Sequence, residues 1–178
     1  MRSVEGRGNI VVNGRVFIRN KGRFVVDGKV VVNSGKNYNV IGGDSRANFM
    51  IGDNALLRMG ENVGISNSTI VCSKEIVIES NVLIGGGCKI YDSDFHSTDY
   101  QKRIDAFVCN KKDIYAKVRP VRIKDGAWIG GHSIILKGVT IGERSIVGAG
   151  SVVSKDVPDY EIWAGSPIKY MGSIDQKI

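Results

Sequence analysis

Aliphatic residues fall six apart without a slip at Ile123, Ile129, Ile135, Ile141, Val147 and Val153. A shorter run keeps the step at Ile78, Ile84 and Ile90, another at Ile51, Leu57 and Val63, and a weaker one at Val12, Ile18, Phe24 and Val30. A helix sets its apolar positions three and four apart and a half-buried strand alternates, so neither demands a strict six. A period of six built on β-branched residues predicts a solenoid of short strands, with one side of each coil per hexapeptide. The aliphatic side chain turns inward onto its counterparts, and three hexapeptides complete one coil of a triangular prism. Small residues following the aliphatic one, as in Ile84-Gly85, Ile129-Gly130 and Val147-Gly148, fit corners where a side chain would be crowded. A sandwich of alternating strands would not hold one phase from Ile123 to Val153.

The period breaks once in a way that matters. Between Ile90 and Ile123 most residues have no hexapeptide phase, which predicts one loop, residues 91–120, ejected from the solenoid and closed by Pro120. Loops thrown out of a rigid scaffold are natural carriers of function. Residues 1–50 match only as degenerate coils, and the pattern stops after Pro158. Residues 159–178 are therefore expected to form a short C-terminal tail or helix over the open end of the prism. At 178 residues the whole reads as a single domain.

Composition is that of a globular chain, with 42% hydrophobic and 24% charged residues. Gly is unusually frequent at 23, but three Pro and no triplet period exclude collagen. No apolar run approaches the roughly 18 residues of a membrane span. The stretch from Met1 to Arg15 lacks the apolar core of a signal peptide. A cytoplasmic protein without stable membrane insertion is expected. Cys72, Cys88 and Cys109 form no C-x-x-C pair, so neither a disulfide framework nor a zinc knuckle is indicated. The net charge is +7, and residues 102–124 carry +6 of it, with eight basic residues against Asp105 and Asp113. No interleaved aromatics or reading helix accompany that segment, so nucleic acid is not an expected partner. The segment is either a solvated loop or, through residues such as Lys111 and Lys112, a way to reach an anionic acceptor.

Only two histidines are present. His96 lies in the ejected loop within Asp92-Ser93-Asp94-Phe95-His96, and in an extended segment Asp92, Asp94 and His96 project the same way. Either carboxylate would hold an imidazole in the tautomer that leaves its other nitrogen free as a base. By themselves these residues favour a plain surface histidine over a base. His132, after Gly131 in the coil body, reads as surface-facing or structural.

The tandem hexapeptides, with Ala127-Trp128-Ile129-Gly130, Gly138-Val139-Thr140-Ile141-Gly142, Gly148-Ala149-Gly150-Ser151-Val152-Val153, Lys155-Asp156-Val157-Pro158 and Ala164-Gly165-Ser166-Pro167, resemble the hexapeptide-repeat acyltransferases from about Ile51 to Lys169. The resemblance implies an all-β fold, the left-handed parallel β-helix. The Asp-x-Asp-Phe-His stretch is similar to the sugar O-acetyltransferase branch, which includes maltose, galactoside, capsular and O-antigen acetyltransferases. This implies His96 as general base, partnered by Asp92 or Asp94, in direct acetyl transfer from acetyl-CoA to a sugar or glycan hydroxyl, with no metal. It further implies that the Gly131 amide faces the thioester oxygen. Ala149, Ser154, Lys155 and Lys169 would contact the cofactor, Trp128 would flank the thioester unless it is a core aromatic, and Asn67 would orient the acceptor unless it is a corner residue. Family members work as homotrimers, with His from one chain facing cofactor groups of the next. An N-acetyltransferase acting on an amino sugar and a catalytically silent scaffold are the competing readings. A zinc-dependent carbonic anhydrase of this fold needs three His ligands, and an ice-binding solenoid needs ladders of Thr. Two His and three Thr fit neither.

Overall fold

The six-residue step translates directly into three faces. In the computed structural model, which describes residues 3–175, Ile123, Ile129 and Ile135 lie on three successive sheets, and Ile141, Val147 and Val153 repeat the circuit one coil on. All six side chains are fully buried. Ile123 pairs in register with Ile141, Ile129 with Val147 and Ile135 with Val153, so each coil here is three hexapeptides long.

The first sheet stacks Val4–Glu5, Arg23–Val26, Leu56–Met59, Glu75–Ile78, Val121–Ile123 and Thr140–Ile141. The second stacks Asn9–Gly14, Lys29–Ser34, Val63–Ser66, Leu83–Ile84, Trp128–Ile129 and Ile146–Val147. The third stacks Val16–Asn20, Ala47–Ile51, Thr69–Cys72, Lys89–Tyr91, Ile134–Ile135 and Val152–Val153. All these pairings are parallel, and the core is one column of inward side chains from Phe24 to Val157, with Ile168 at its C-terminal end. The sequence-degenerate N-terminal residues form regular coils with longer strands. Asn9 pairs with Lys29, a slightly longer coil than the later ones, and burial along Lys29–Ser34 alternates residue by residue. Alternation within a long strand blurs a six-residue signature while filling the same core.

The corners turn through left-handed backbone. Asn62, Asn81, Gly126, Arg144 and Tyr160 stack at the first-to-second corner, all with φ between 51° and 69°. Asn tolerates that region better than most residues, and here it also links coils, Asn62 Nδ2 donating to Asn81 Oδ1 at 3.3 Å and Asn81 Nδ2 to Asp125 Oδ1 at 3.0 Å.

Two excursions leave the prism, one more than the sequence pattern predicts. Residues 92–120 leave the third-to-first corner and contain the helix α1, Tyr100–Val108, N-capped by the Asp99 carboxylate on Lys102 N. Residues 35–46 leave the second-to-third corner with a 3-10 turn at Val40–Gly42, and they lengthen that coil so that Val30 pairs with Val63. This second excursion sits where the repeats are too degenerate for a missing hexapeptide to be noticed. At the C-terminus, Glu161–Ala164 joins the second sheet beside Ile146–Val147 and turns back as an antiparallel strand, Lys169–Ser173. A hairpin, rather than a helix, thus covers the end of the prism, with Trp163 packed on the core and its ring 6.2 Å from that of Tyr170. Among the described residues no helix is long and apolar enough to cross a membrane.

Candidate active site

At the second-to-third corner, small residues stack where three coils turn: Gly85-Gly86, Gly130-Gly131 and Gly148-Ala149. The tight approach demands them. A Cβ on Gly85 would lie 2.6 Å from Gly131 N, and one on Gly130 would lie 2.5 Å from Ala149 N. In each of the first two pairs the first amide joins the coil ladder, Gly85 N donating to Ile129 O and Gly130 N to Val147 O. The second amides, of Gly86, Gly131 and Ala149, donate to no protein acceptor among the described residues. They line a groove of about 350 Å³ together with Trp128, Ile146, Asn39 and Ile41. Trp128 is half exposed on the outer face of its strand, so it is a groove aromatic and not a core one. The arrangement is an open apolar channel lined by residues whose N–H groups have no protein acceptor among the described residues, suited to an elongated ligand that carries carbonyl groups.

One wall of the groove is the 35–46 excursion, and His132 holds it there. His132 has φ +60° at a corner where the flanking coils place Gly87 and Gly150. Its ring lies over Gly87, and its Nε2–H donates to the Ile41 carbonyl at 2.8 Å. His132 is thus a structural tether. Asn67 is a second tether: fully buried, it accepts from Gly35 N at 2.6 Å and donates through Nδ2 to Asn39 O at 2.7 Å. Both ends of its amide are committed to the base of the excursion, so the expected role of Asn67 in orienting an acceptor is corrected to one of holding that wall.

His96 lies at a different corner, on the 92–120 excursion. The neck of that excursion is a short antiparallel pairing, Ser93 against Val118, with Asp94 N donating to Lys117 O and Arg119 N to Asp92 O. His96 itself is exposed, its N–H bonded to Asp94 O at 2.7 Å. Neither expected carboxylate is turned to its ring. Asp92 is fully buried and accepts from Ser73 N, Lys74 N and Glu75 N at 2.7, 2.7 and 2.8 Å, pinning the corner of the preceding coil. This corrects Asp92 from a catalytic partner to a structural one, because the in-out alternation that was to align it with His96 ends at the corner and sends it inward. Asp94 forms an ion pair with Lys137 at 2.6 Å. From the far end of the excursion, Asp113 comes to Ser97, the residue after His96. Asp113 is buried and accepts from Ser97 N at 2.6 Å and Tyr115 N at 3.0 Å. The Ser97 N–H, then the Tyr115 N–H and the nearby His96 charge, hold its carboxyl below the ordinary range against the opposing effect of burial.

Asp92→Ala should be costly to the fold. It strips three backbone N–H groups of their acceptor, at about 1–3 kcal/mol for a buried group left unpaired. A loss of about 3 kcal/mol, read as a midpoint lowered by about 6–12 °C in thermal unfolding, is the expected result. A midpoint within about 2 °C of the parent, less than a single kcal/mol would shift it, would show that water replaces the carboxylate at no cost.

The remaining predicted residues lie toward the C-terminal end. Ser154 and Lys155 are exposed just past Val153, and the Lys155 ammonium sits 4.8 Å from the centroid of the Trp163 ring. Lys169 is exposed opposite Ala164, and Ala164 packs against Gly148 of the groove. Gly131, Ala149 and Trp128 are therefore together in the groove, and Lys155 and Lys169 are cations at the hairpin end of the prism. The thiols of Cys72 and Cys88 are buried, which raises both above the ordinary range and makes them poor nucleophiles. Among the described residues no group of three or more His, Cys, Asp and Glu converges to hold a metal ion.

Sequence reasoning missed Asn39, Ile41, Gly86 and Asp113. The Gly85-Gly86-Gly87 run, in phase with Gly130-Gly131, was a usable signal for Gly86. The others arrive from excursions without periodicity.

Comparison with known proteins agrees with this architecture. Residues 120–155 match the family described as bacterial transferase hexapeptide (six repeats). A Saccharomyces cerevisiae protein named "Putative acetyltransferase YJL218W" is 35% identical over 134 residues, 75% of this chain and 60% of that protein. The Vibrio cholerae hexapeptide-repeat acetyltransferase VCA0836, solved with acetyl coenzyme A, is 34% identical, covers 72% of this chain and 66% of its own, and superposes with a TM-score of 0.62. A galactoside acetyltransferase solved with coenzyme A is 29% identical, covers 82% of this chain and 64% of its own, with a TM-score of 0.62. The matches to the first curated relatives span between 35% and 60% of the length of those proteins. With its six-residue register, three parallel sheets and these likenesses, the chain belongs to the hexapeptide-repeat transferase family, on the left-handed parallel β-helix fold.

Proposed function

We propose that this protein is an acyltransferase that moves an acetyl group from acetyl-CoA to a hydroxyl of a sugar or surface-glycan precursor. The observation that carries this reading is the groove at the second-to-third corner, where the free amides of Gly86, Gly131 and Ala149 line an apolar channel beside Trp128. The pantetheine arm lies along that channel, and Ser154, Lys155 and Lys169 meet the phosphates near the hairpin, where charge-assisted hydrogen bonds are strongest. The likeness to proteins solved with acetyl-CoA and with coenzyme A supports this choice of donor. The galactoside acetyltransferase supports a sugar acceptor.

In the reaction, the free ring nitrogen of His96 takes the proton of the acceptor hydroxyl as its oxygen attacks the thioester carbonyl. The Gly131 N–H stabilises the oxyanion, the carbon–sulfur bond breaks, and the leaving thiolate recovers the proton from His96. No covalent enzyme intermediate is needed. Asp113, rather than Asp92 or Asp94, supports the imidazole.

His96 and the groove stand at different corners of one prism, with the third sheet between them. The complete site therefore forms between copies of the chain, in a homotrimer with the His96 loop of one protomer against the groove of the next. The test is mass-spectrometric detection of acetyl transfer from acetyl-CoA to sugars, nucleotide sugars and short glycans, with binding of acetyl-CoA followed in parallel. An acetylated product is expected. Failure to bind acetyl-CoA at all would overturn the reading in favour of a silent scaffold.

A further inference from the structure

The 35–46 excursion has two sides, and only one faces the groove. On the other side it closes a cleft of about 780 Å³ against the N-terminal coils, within the size range of small-molecule sites. The cleft is cationic. Arg15, Lys36 and Arg46 line it against a single carboxylate, Asp44, which pairs loosely with Lys36 at 3.7 Å in full solvent. Arg15 and Arg46 form no ion pair among the described residues.

The cleft also has a placed aromatic. Gly14, with φ +97°, lets the Tyr38 ring lie against the coil, since a Cβ there would come 2.9 Å from Tyr38 Cδ2 and closer still to Ser34 O. Tyr38 nevertheless keeps 55% of its surface open. Its backbone is fixed by Tyr38 N on Gly35 O at 3.0 Å, and Gly35 is in turn held by the buried amide of Asn67 at 2.6 Å. An open ring beside two unpaired guanidinium groups and a lysine suits a flat base joined to a pyrophosphate: the ring stacks, and the cations take the phosphate oxygens in bidentate fashion. Preorganisation by Asn67 lowers the entropic cost of binding.

We infer that this cleft binds a nucleoside diphosphate, the handle of a nucleotide-linked sugar acceptor. The inference rests on the transferase reading for its purpose: Tyr38 faces the cleft and Asn39, its neighbour in sequence, faces the donor groove, so one rigid excursion would hold the acceptor's handle on one side and wall the thioester on the other. It also moves the anionic-acceptor role away from the basic 102–124 segment, whose Lys111 and Lys112 stand on the other excursion.

The test measures binding of UDP and dTDP to the protein by calorimetry, with tetragalacturonate as a carboxylated glycan probe and acetyl-CoA as a competitor. The doubly substituted Arg15→Gln/Arg46→Gln protein should bind nucleoside diphosphate about 10- to 100-fold more weakly, as expected for losing two charge-assisted contacts, and acetyl-CoA as the parent does. Lys111→Gln/Lys112→Gln should bind both as the parent does. All four side chains are exposed, so the fold is not at stake. The inference is overturned by no nucleotide binding, by preference for tetragalacturonate, by loss in the Lys111/Lys112 protein instead, or by displacement of UDP by acetyl-CoA, which would make the cleft the donor's own site. Nucleotide binding at Arg15 and Arg46 without any acetyl-CoA binding would sustain the cleft and remove the transferase reading.

Discussion

Replacing His96 by Ala is expected to lower kcat for acetyl transfer by about 1,000-fold, within the range general-base catalysis contributes, or about 4 kcal/mol of barrier. Acetyl-CoA affinity should stay near the parent value, because the groove amides, Ser154, Lys155 and Lys169, and not the His96 ring, are the contacts proposed to hold the donor. This split separates a catalytic role from a structural one: the side chain is solvent-facing and makes no side-chain hydrogen bond among the described residues. A tenfold or smaller effect on kcat would remove His96 as the base and return it to an ordinary surface histidine. Asp113→Asn should act in the same direction but less strongly, since its carboxylate also organises Ser97 and Tyr115.

The second large effect concerns the assembly. Ala149→Phe places a ring in the groove, and because Ala149 is exposed the coil can accept it. That protein should lose acetyl-CoA binding, and like His96→Ala it should be almost inactive alone. Coexpressed in equal amounts, the two variants should recover about a quarter of parental activity, because one interface in four then joins an intact His96 loop to an intact groove. The figure does not depend on how many copies close the ring. A site contained within one chain would recover nothing, as every protomer then carries one defect. No recovery in verified mixed oligomers is the outcome that would overturn a site shared between copies.

The solenoid was readable because its core imposes a translational rule. Each inward position must stack on its counterpart one coil away, so Ile123, Ile129 and Ile135 repeat as Ile141, Val147 and Val153, and the spacing in sequence is the spacing in space. The groove glycines were readable for the same reason, since coil-to-coil contact excludes a Cβ at Gly85 and Gly130. The excursions obey no such rule. Asp92 and His96 are close in sequence, yet the chain turns between them, and Asp92 is drawn into the corner by three amides whose own acceptors the turn removed. Asp113 reaches the His96 loop from the opposite end of the excursion, through a contact with Ser97 that no local pattern announces.

Asn67 shows the limit most plainly. As a residue type at a corner it was compatible with orienting a ligand, and only the arrival of Gly35 and Asn39 at its two amide ends decided that it orients the chain itself. By itself the sequence determined the strand period, the buried column, the small-residue corner and the residues that carry titratable chemistry, because each follows from a repeating steric demand. The tertiary structure alone decided that Asp92 turns into a corner while Asp113 comes to Ser97 beside His96, which excursion walls the groove, and that His96 and the groove lie at different corners. Those relations depend on chain segments that leave the repeat and are fixed by contacts distant in sequence.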